Sequence, residues 1–184
     1  MTNQNDKNKT RTCRYCASPL ATIGEKDPQQ GTMYRCDFCE LSFDETETMV
    51  NGERRRRLIR PVVSLEDANR PTSELQHLTT YELYALLGEV RRARGNAYDL
   101  HRLAYDTRIA SMSEGVDRET ADNLKRMVNQ AFKDFVYWKR KAYVVENLLI
   151  ERTGTYPKRI TAKFLDKTWD QIVRTYQDTE PMFA

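Results

Sequence analysis

Four cysteines stand in two C-x-x-C pairs, Cys13-Arg-Tyr-Cys16 and Cys36-Asp-Phe-Cys39, with nineteen residues between the pairs. No other feature limits the fold as strongly. Each C-x-x-C turn can present two thiolates from one knuckle, and two knuckles supply the four soft ligands that a tetrahedral zinc ion takes. Two disulfides are the other use of such cysteines. A thioredoxin-like redox site needs a βαβ pattern around one pair, and neither pair has it. The opening MTNQNDKNKT lacks the apolar stretch of a secretory leader. The expected compartment is therefore the cytoplasm, where thiols stay reduced.

The flanks narrow the reading. TMYRCDFCELSFDE carries Tyr34 before the second knuckle and Phe43 after it, and TCRYCASPLATIG follows the first with Pro19, Leu20 and Ile23. Over residues 11–45 this pattern resembles the zinc-ribbon family, in which two knuckles lead into short strands and aromatic residues pack beside the metal. Ala17 and Glu40 stand where that family commonly has glycine. The resemblance implies one structural Zn²⁺ per chain, held by Cys13, Cys16, Cys36 and Cys39. Four cysteine ligands leave no open coordination position, so such a metal supports the fold rather than performing chemistry. Its contribution to folding is on the order of 10 kcal/mol. Ribbons of this kind bind DNA, RNA or proteins, and the resemblance does not choose among them.

A break in composition follows. Residues 40–53 hold five acidic side chains and no Lys or Arg, whereas residues 54–60 hold Arg54, Arg55, Arg56, Arg57 and Arg60. Asn51-Gly52 between them is a turn signal. Two readings stand side by side. A hairpin could lay the acidic arm on the basic one, or the arginines could grip phosphates or an acidic protein face. Pro61 and Pro71 bracket VVSLEDANR, read as a linker or a short helix.

From residue 79 the periodicity is helical. Thr79 and Glu82 form a capping box before Leu83, Leu86, Val90, Ala93, Ala97, Leu100, Ala104 and Thr107, spaced as a heptad seam. Asp117 caps a second run through Leu124, Val128, Ala131, Phe135, Trp138, Ala142, Val145 and Leu149, which stops at Gly154 with Pro157 beyond. Joined by SMSEGVD, the two must fold back antiparallel. Pairing them about that loop puts Ala93 opposite Phe135, Val90 opposite Trp138 and Ala97 opposite Ala131. Gly88 and Gly95 either break the first helix or admit another element closely. The second helix carries apolar residues beyond its seam, among them Met127, Phe132, Val144 and Leu148. One partner helix cannot cover so wide a face. The segment ITAKFLDKTWDQIVRTY can supply a third helix, and a second copy of the chain is the other candidate.

The expected fold is thus mainly α: a small N-terminal β zinc ribbon and a long antiparallel, coiled-coil-like helical hairpin with a third helix. The expected organisation is a disordered tail over 1–10, the ribbon over 11–50, an arginine-rich connector over 51–78 and the helical domain over 79–184. No P-loop, GxSxG or HExxH motif is present, which points away from an enzyme. No apolar run approaches the ~20 residues of a membrane span. A net charge of +3 neither demands nor excludes a nucleic-acid partner. Arg91, Arg92 and Arg94 on the first helix, with Lys139, Arg140 and Lys141 on the second beside Tyr137 and Tyr143, form a second basic group. The expected role is non-enzymatic binding of a nucleic acid or nucleoprotein complex, with the hairpin as scaffold or homodimer interface. The alternative is a protein–protein adaptor or inhibitor that docks through its helices. In size and organisation the chain is similar in style to accessory proteins of phages and mobile elements, some of which inhibit host defence complexes.

Overall fold

The computed structural model describes residues 9–27, 31–177 and 181–182. Five strands come first: β1 (Arg11–Thr12), β2 (Ala21–Asp27), β3 (Gly31–Cys36), β4 (Leu41–Asp44) and β5 (Met49–Val50). Four helices follow: α1 (Thr72–Leu75), α2 (Thr80–Glu114), α3 (Arg118–Thr153) and α4 (Ala162–Gln177). The architecture is mainly α, with a small antiparallel strand region at the N-terminus and two long packed helices, as the sequence implies. The chain divides into two compact units, Met1–Leu58 with Ile172–Ala184, and Ile59–Gln171.

In the first unit β2, β3 and β4 form an antiparallel sheet, and β1 pairs separately with β5. Among the described residues its core is little more than Phe43, Cys13 and Cys36, with Leu20, Cys16 and Cys39 packed against them. A cluster this small buries too little apolar surface to offset chain entropy by itself. The tail expected over 1–10 lies outside the described residues as far as residue 8. Thr10 is fixed, because its carbonyl accepts from Asn51 N at 2.9 Å and its N–H donates to Asn51 Oδ1 at 3.1 Å. Asn51 and Gly52 both take left-handed backbone (φ 53° and 75°), as an Asn-Gly turn requires.

That turn does not close the expected acidic–basic hairpin. Strand β5 on its near side pairs with β1, and the chain from Glu53 to Arg60 is in no strand. Two of the acidic residues find other partners: Glu45 pairs with Arg11, and Glu47 with Arg14 at 2.7 Å. Two arginines ahead of and within the first knuckle thus do what the run after residue 53 was expected to do.

The second unit begins with residues expected to be a connector. Val63, Ala68, Leu75 and Leu78 are instead buried in one core with Leu83, Leu86, Leu87, Val90, Ala142, Val145, Leu148 and Leu149. A 3-10 turn over Leu65–Asn69 and the short α1 shape this covering segment. Thr79 caps α2 through the expected box: Glu82 N donates to its hydroxyl at 3.2 Å, and its own N–H donates to Glu82 Oε2 at 2.7 Å. Helix α2 runs unbroken for 35 residues through Gly88 and Gly95. A Cβ at Gly88 would meet Ile160 Cγ2 at 3.3 Å, so this glycine admits the chain before α4; Gly95 faces open space.

Helix α2 continues through most of SMSEGVD and ends at left-handed Gly115. Asp117 accepts from Thr120 N at 3.0 Å and starts α3, which stops at left-handed Gly154. The register differs from the expected one. Phe135, expected opposite Ala93, meets the Tyr98 ring at 5.6 Å, and His101 meets Phe132 at 5.4 Å. The later turn accounts for part of this. The rest follows from side-chain direction, because each side chain leans toward its own helix N-terminus, which shifts contacts between antiparallel helices. The surplus apolar face of α3 is also covered differently: residues 63–78 enclose Leu148, while α4 packs on α2 through Phe164–Tyr84 (5.2 Å) and Trp169–Tyr81 (5.1 Å). Farther along the hairpin only Ala97, Ala104, Val128 and Ala131 are buried, and Leu100 is 53% exposed. Two helices alone enclose just the side chains directly between them; larger flanking residues need a third layer. Among the described residues no helix is long and apolar enough to cross a membrane.

Candidate metal centre and arginine surface

Strand β1 delivers Cys13 to the first knuckle, and the last residue of β3 is Cys36. Within the knuckles backbone amides point at sulfur: Tyr15 N lies 3.4 Å from Cys13 Sγ, and Cys39 N lies 3.4 Å from Cys36 Sγ. The residue after each second cysteine must reverse the chain. Ala17 and Glu40 do so at φ 60° and 55°, taking the left-handed conformation usually left to glycine. Each costs about 1–2 kcal/mol of backbone strain, so something must hold the knuckles closed.

The four sulfurs converge. Cys13 and Cys39 Sγ are 3.8 Å apart, Cys16 and Cys36 Sγ 3.5 Å, and the whole set lies within 4.8 Å. None is bridged to another. A tetrahedron of sulfurs ~2.3 Å from a central ion has edges of about 3.8 Å, so the spacing fits a metal. The electrostatics agree. The Ser18 hydroxyl, 3.3 Å from Cys16 Sγ, holds that thiol down to about 6. Cys39 is pushed up to about 12, first by the competing Cys16 sulfur and then by burial; burial also lifts Cys36. Once one thiolate forms, its neighbours resist ionising, and a cation at the centre removes that penalty. Four cysteines can therefore coordinate a metal ion here, in a closed shell. Of the flanking apolar residues, Phe43 is 2% exposed and Leu20 packs beside it, whereas Ile23 and Pro19 face outward.

The arginines separate into two groups. Arg60 belongs to the helical unit: its Nε donates to Glu82 Oε1 at 2.9 Å and its Nη1 to Asp67 Oδ1 at 3.1 Å. Arg91 likewise grips Glu146 at 2.6 Å and the carbonyls of Pro157 and Lys158 at 2.8 and 3.1 Å. Arg92 pairs with Glu89, and Lys141 donates to the Arg70 carbonyl at 3.2 Å. Arg94, Lys139 and Arg140 make none of these contacts, and the latter two are exposed. In the first unit Arg54, Arg55 and Arg56 are exposed and pair with no carboxylate among the described residues. The carbonyl of Arg57 accepts from the Tyr176 hydroxyl. Arg54, Arg55 and Arg56 border a cleft of about 490 Å³ that Tyr15, Tyr176 and Met182 also line. The sequence offered no sign of this cleft, because Tyr176 is distant in the chain from Tyr15 and Arg54.

No protein-family model, curated protein or solved structure matches this chain.

Proposed function

We propose that this chain is a non-enzymatic binding protein: a zinc ribbon, with Zn²⁺ on Cys13, Cys16, Cys36 and Cys39, that engages a nucleic acid or nucleoprotein complex through Arg54, Arg55 and Arg56. One observation carries the reading. Glu45 and Glu47 pair elsewhere, with Arg11 and Arg14, and Arg54, Arg55 and Arg56 stay exposed as three adjacent guanidiniums without a carboxylate partner among the described residues. Adjacent unpaired arginines suit phosphates, which they can grip by paired hydrogen bonds. A four-thiolate shell suits a supporting metal better than a reacting one.

The test is binding of mixed-sequence oligonucleotides at a series of salt concentrations. Each phosphate contact adds roughly −0.7 to −0.9 to the log–log slope. Replacing Arg55 and Arg56 together by Ala should flatten the slope by about one to two units, by the same relation. An unchanged slope ends the arginine reading.

A second reading has its own support. Leu100, Leu103, Ile109, Met112, Met127 and Phe132 are large apolar side chains left exposed along the hairpin. Exposed apolar area of this kind favours contact with another surface, either a second copy or the partner of an adaptor or inhibitor. Light scattering at micromolar concentration should give a dimer mass; a monomer mass removes the self-association form of this reading.

A further inference from the structure

The cleft of the first unit has a composition that the arginine run alone does not explain. Its basic side is Arg54, Arg55 and Arg56; Tyr15 and Glu53 line it as well. A volume of about 490 Å³ falls among small-ligand sites, which span roughly 300–1,000 Å³. A duplex is a rod with its bases stacked inside, and it cannot enter such a space. A single unstacked nucleotide can.

Two details favour a nucleotide over a bare anion. Tyr15 is 59% exposed, yet its ring is held from within its own unit: Phe43 lies 6.0 Å away and the Arg14 guanidinium 5.0 Å from the ring. Arg14 is itself tied to Glu47 at 2.7 Å. A fixed, exposed ring is a stacking platform, and aromatic platforms of this kind take any base. Glu53 is the second detail. A carboxylate disfavours a simple polyanion but can accept from a base amino group. The arginine segment is also positioned, since the Tyr176 hydroxyl holds the Arg57 carbonyl directly after Arg54–Arg56.

We propose that this cleft takes one unstacked nucleotide of a single-stranded nucleic acid, with the base on Tyr15 and the adjoining phosphate against Arg54, Arg55 and Arg56. The proposal rests on the nucleic-acid reading above and narrows it from any nucleic acid to single strands.

The experiment uses the full zinc-loaded chain and a short labelled oligonucleotide of mixed sequence, as single-stranded RNA, as single-stranded DNA and as a duplex. Single strands should bind more tightly than the duplex at equal salt. Tyr15→Leu should weaken single-strand binding by roughly 5- to 150-fold, the range for loss of one stacked base, with the salt slope and duplex binding unchanged. Tyr15→Phe keeps the ring and should bind as the parent does. Preference for RNA over DNA would add a contact to the 2′-hydroxyl; equal binding fits the cleft as described. Equal affinity for single strands and duplex, or no effect of Tyr15→Leu, overturns the cleft while leaving the arginine reading in place. Failure of every nucleic acid to bind overturns both. Should Tyr15→Leu lose its metal, photocrosslinking of the oligonucleotide to the unaltered chain decides the matter. Adducts at Tyr15, at residues 52–56 or at Thr175, Tyr176 or Met182 support the cleft, and adducts confined to the helical basic residues overturn it.

Discussion

Replacing Arg60 by alanine separates the arginines that hold the fold from those free to bind. Arg60 bridges two buried carboxylates, Glu82 and Asp67, whose side chains are each 7% exposed. Removing one member of a buried ion pair typically costs about 3–5 kcal/mol, because a charge is left without its partner. Here the lower end applies. Arg60 is itself 38% exposed, Asp67 keeps Arg70 at 2.7 Å, and Glu82 keeps the Thr79 amide at 2.7 Å. A loss of about 3 kcal/mol corresponds to a fall in melting temperature of roughly 6–12 °C for a chain of this size, read from helical circular dichroism. The salt slope for nucleic-acid binding should not change. The pH dependence supplies a second sign. Burial alone would raise both carboxyls, but the Thr79 amide and Arg60 outweigh it at Glu82, and Arg60 and the Ser64 amide outweigh it at Asp67. Both sit below their ordinary values. Their stabilisation is thus present above about pH 4, where these groups ionise in the unfolded chain, and is lost as pH falls through the lower folded values. The gap between parent and Arg60→Ala should narrow over that acid range. A variant within about 0.5 kcal/mol of the parent, or one with a flatter salt slope, would refute the assignment of Arg60 to the fold.

Elemental analysis should find one zinc per chain, and a chelator should collapse the first unit while leaving most of the helical signal, since the core around Leu83 and Leu149 contains no cysteine; loss of nearly all helix would show one cooperative unit. Gly95→Ala should stabilise the helical unit by up to about 1 kcal/mol in thermal unfolding, because the added methyl meets nothing within 4 Å. Gly88→Ala should gain clearly less, because Ile160 Cγ2 stands 3.3 Å from the new Cβ; equal gains would refute the close approach.

What was legible in the sequence is what depends on neighbours in the chain. The cysteine spacing, the Thr79–Glu82 box, the Asp117 cap and the Gly154 stop are all settled within a few residues, and all are found. What escaped depends on distant partners. Nothing local says that Glu45 and Glu47 will turn back to Arg11 and Arg14 rather than forward to Arg54. Nothing local marks Val63 and Leu75 as core, because the segment's prolines and short apolar spacing read as a connector. The helical register was missed because α2 runs on to Glu114, through most of the expected loop, and because contacts follow the lean of side chains rather than Cα positions. Ala17 and Glu40 show the converse: a conformation that local preference argues against is imposed by the closing of the sulfur cluster.

The burial gradient along the hairpin has a consequence for motion. Helix α2 is 35 residues long, about 50 Å at ~1.5 Å per residue. Its enclosed Leu and Val side chains lie toward one end, and beyond them the helices are joined by little more than Ala97, Ala104, Val128 and Ala131. Opening free energy follows local burial, so the helix ends beside the Gly115 turn can open locally without disturbing the base. Amide exchange should then quicken steadily from Val90 toward Ser111, with the slowest amides around Leu86 and Leu149. A surface built this way can adjust its fit to whatever it touches while its anchor stays rigid.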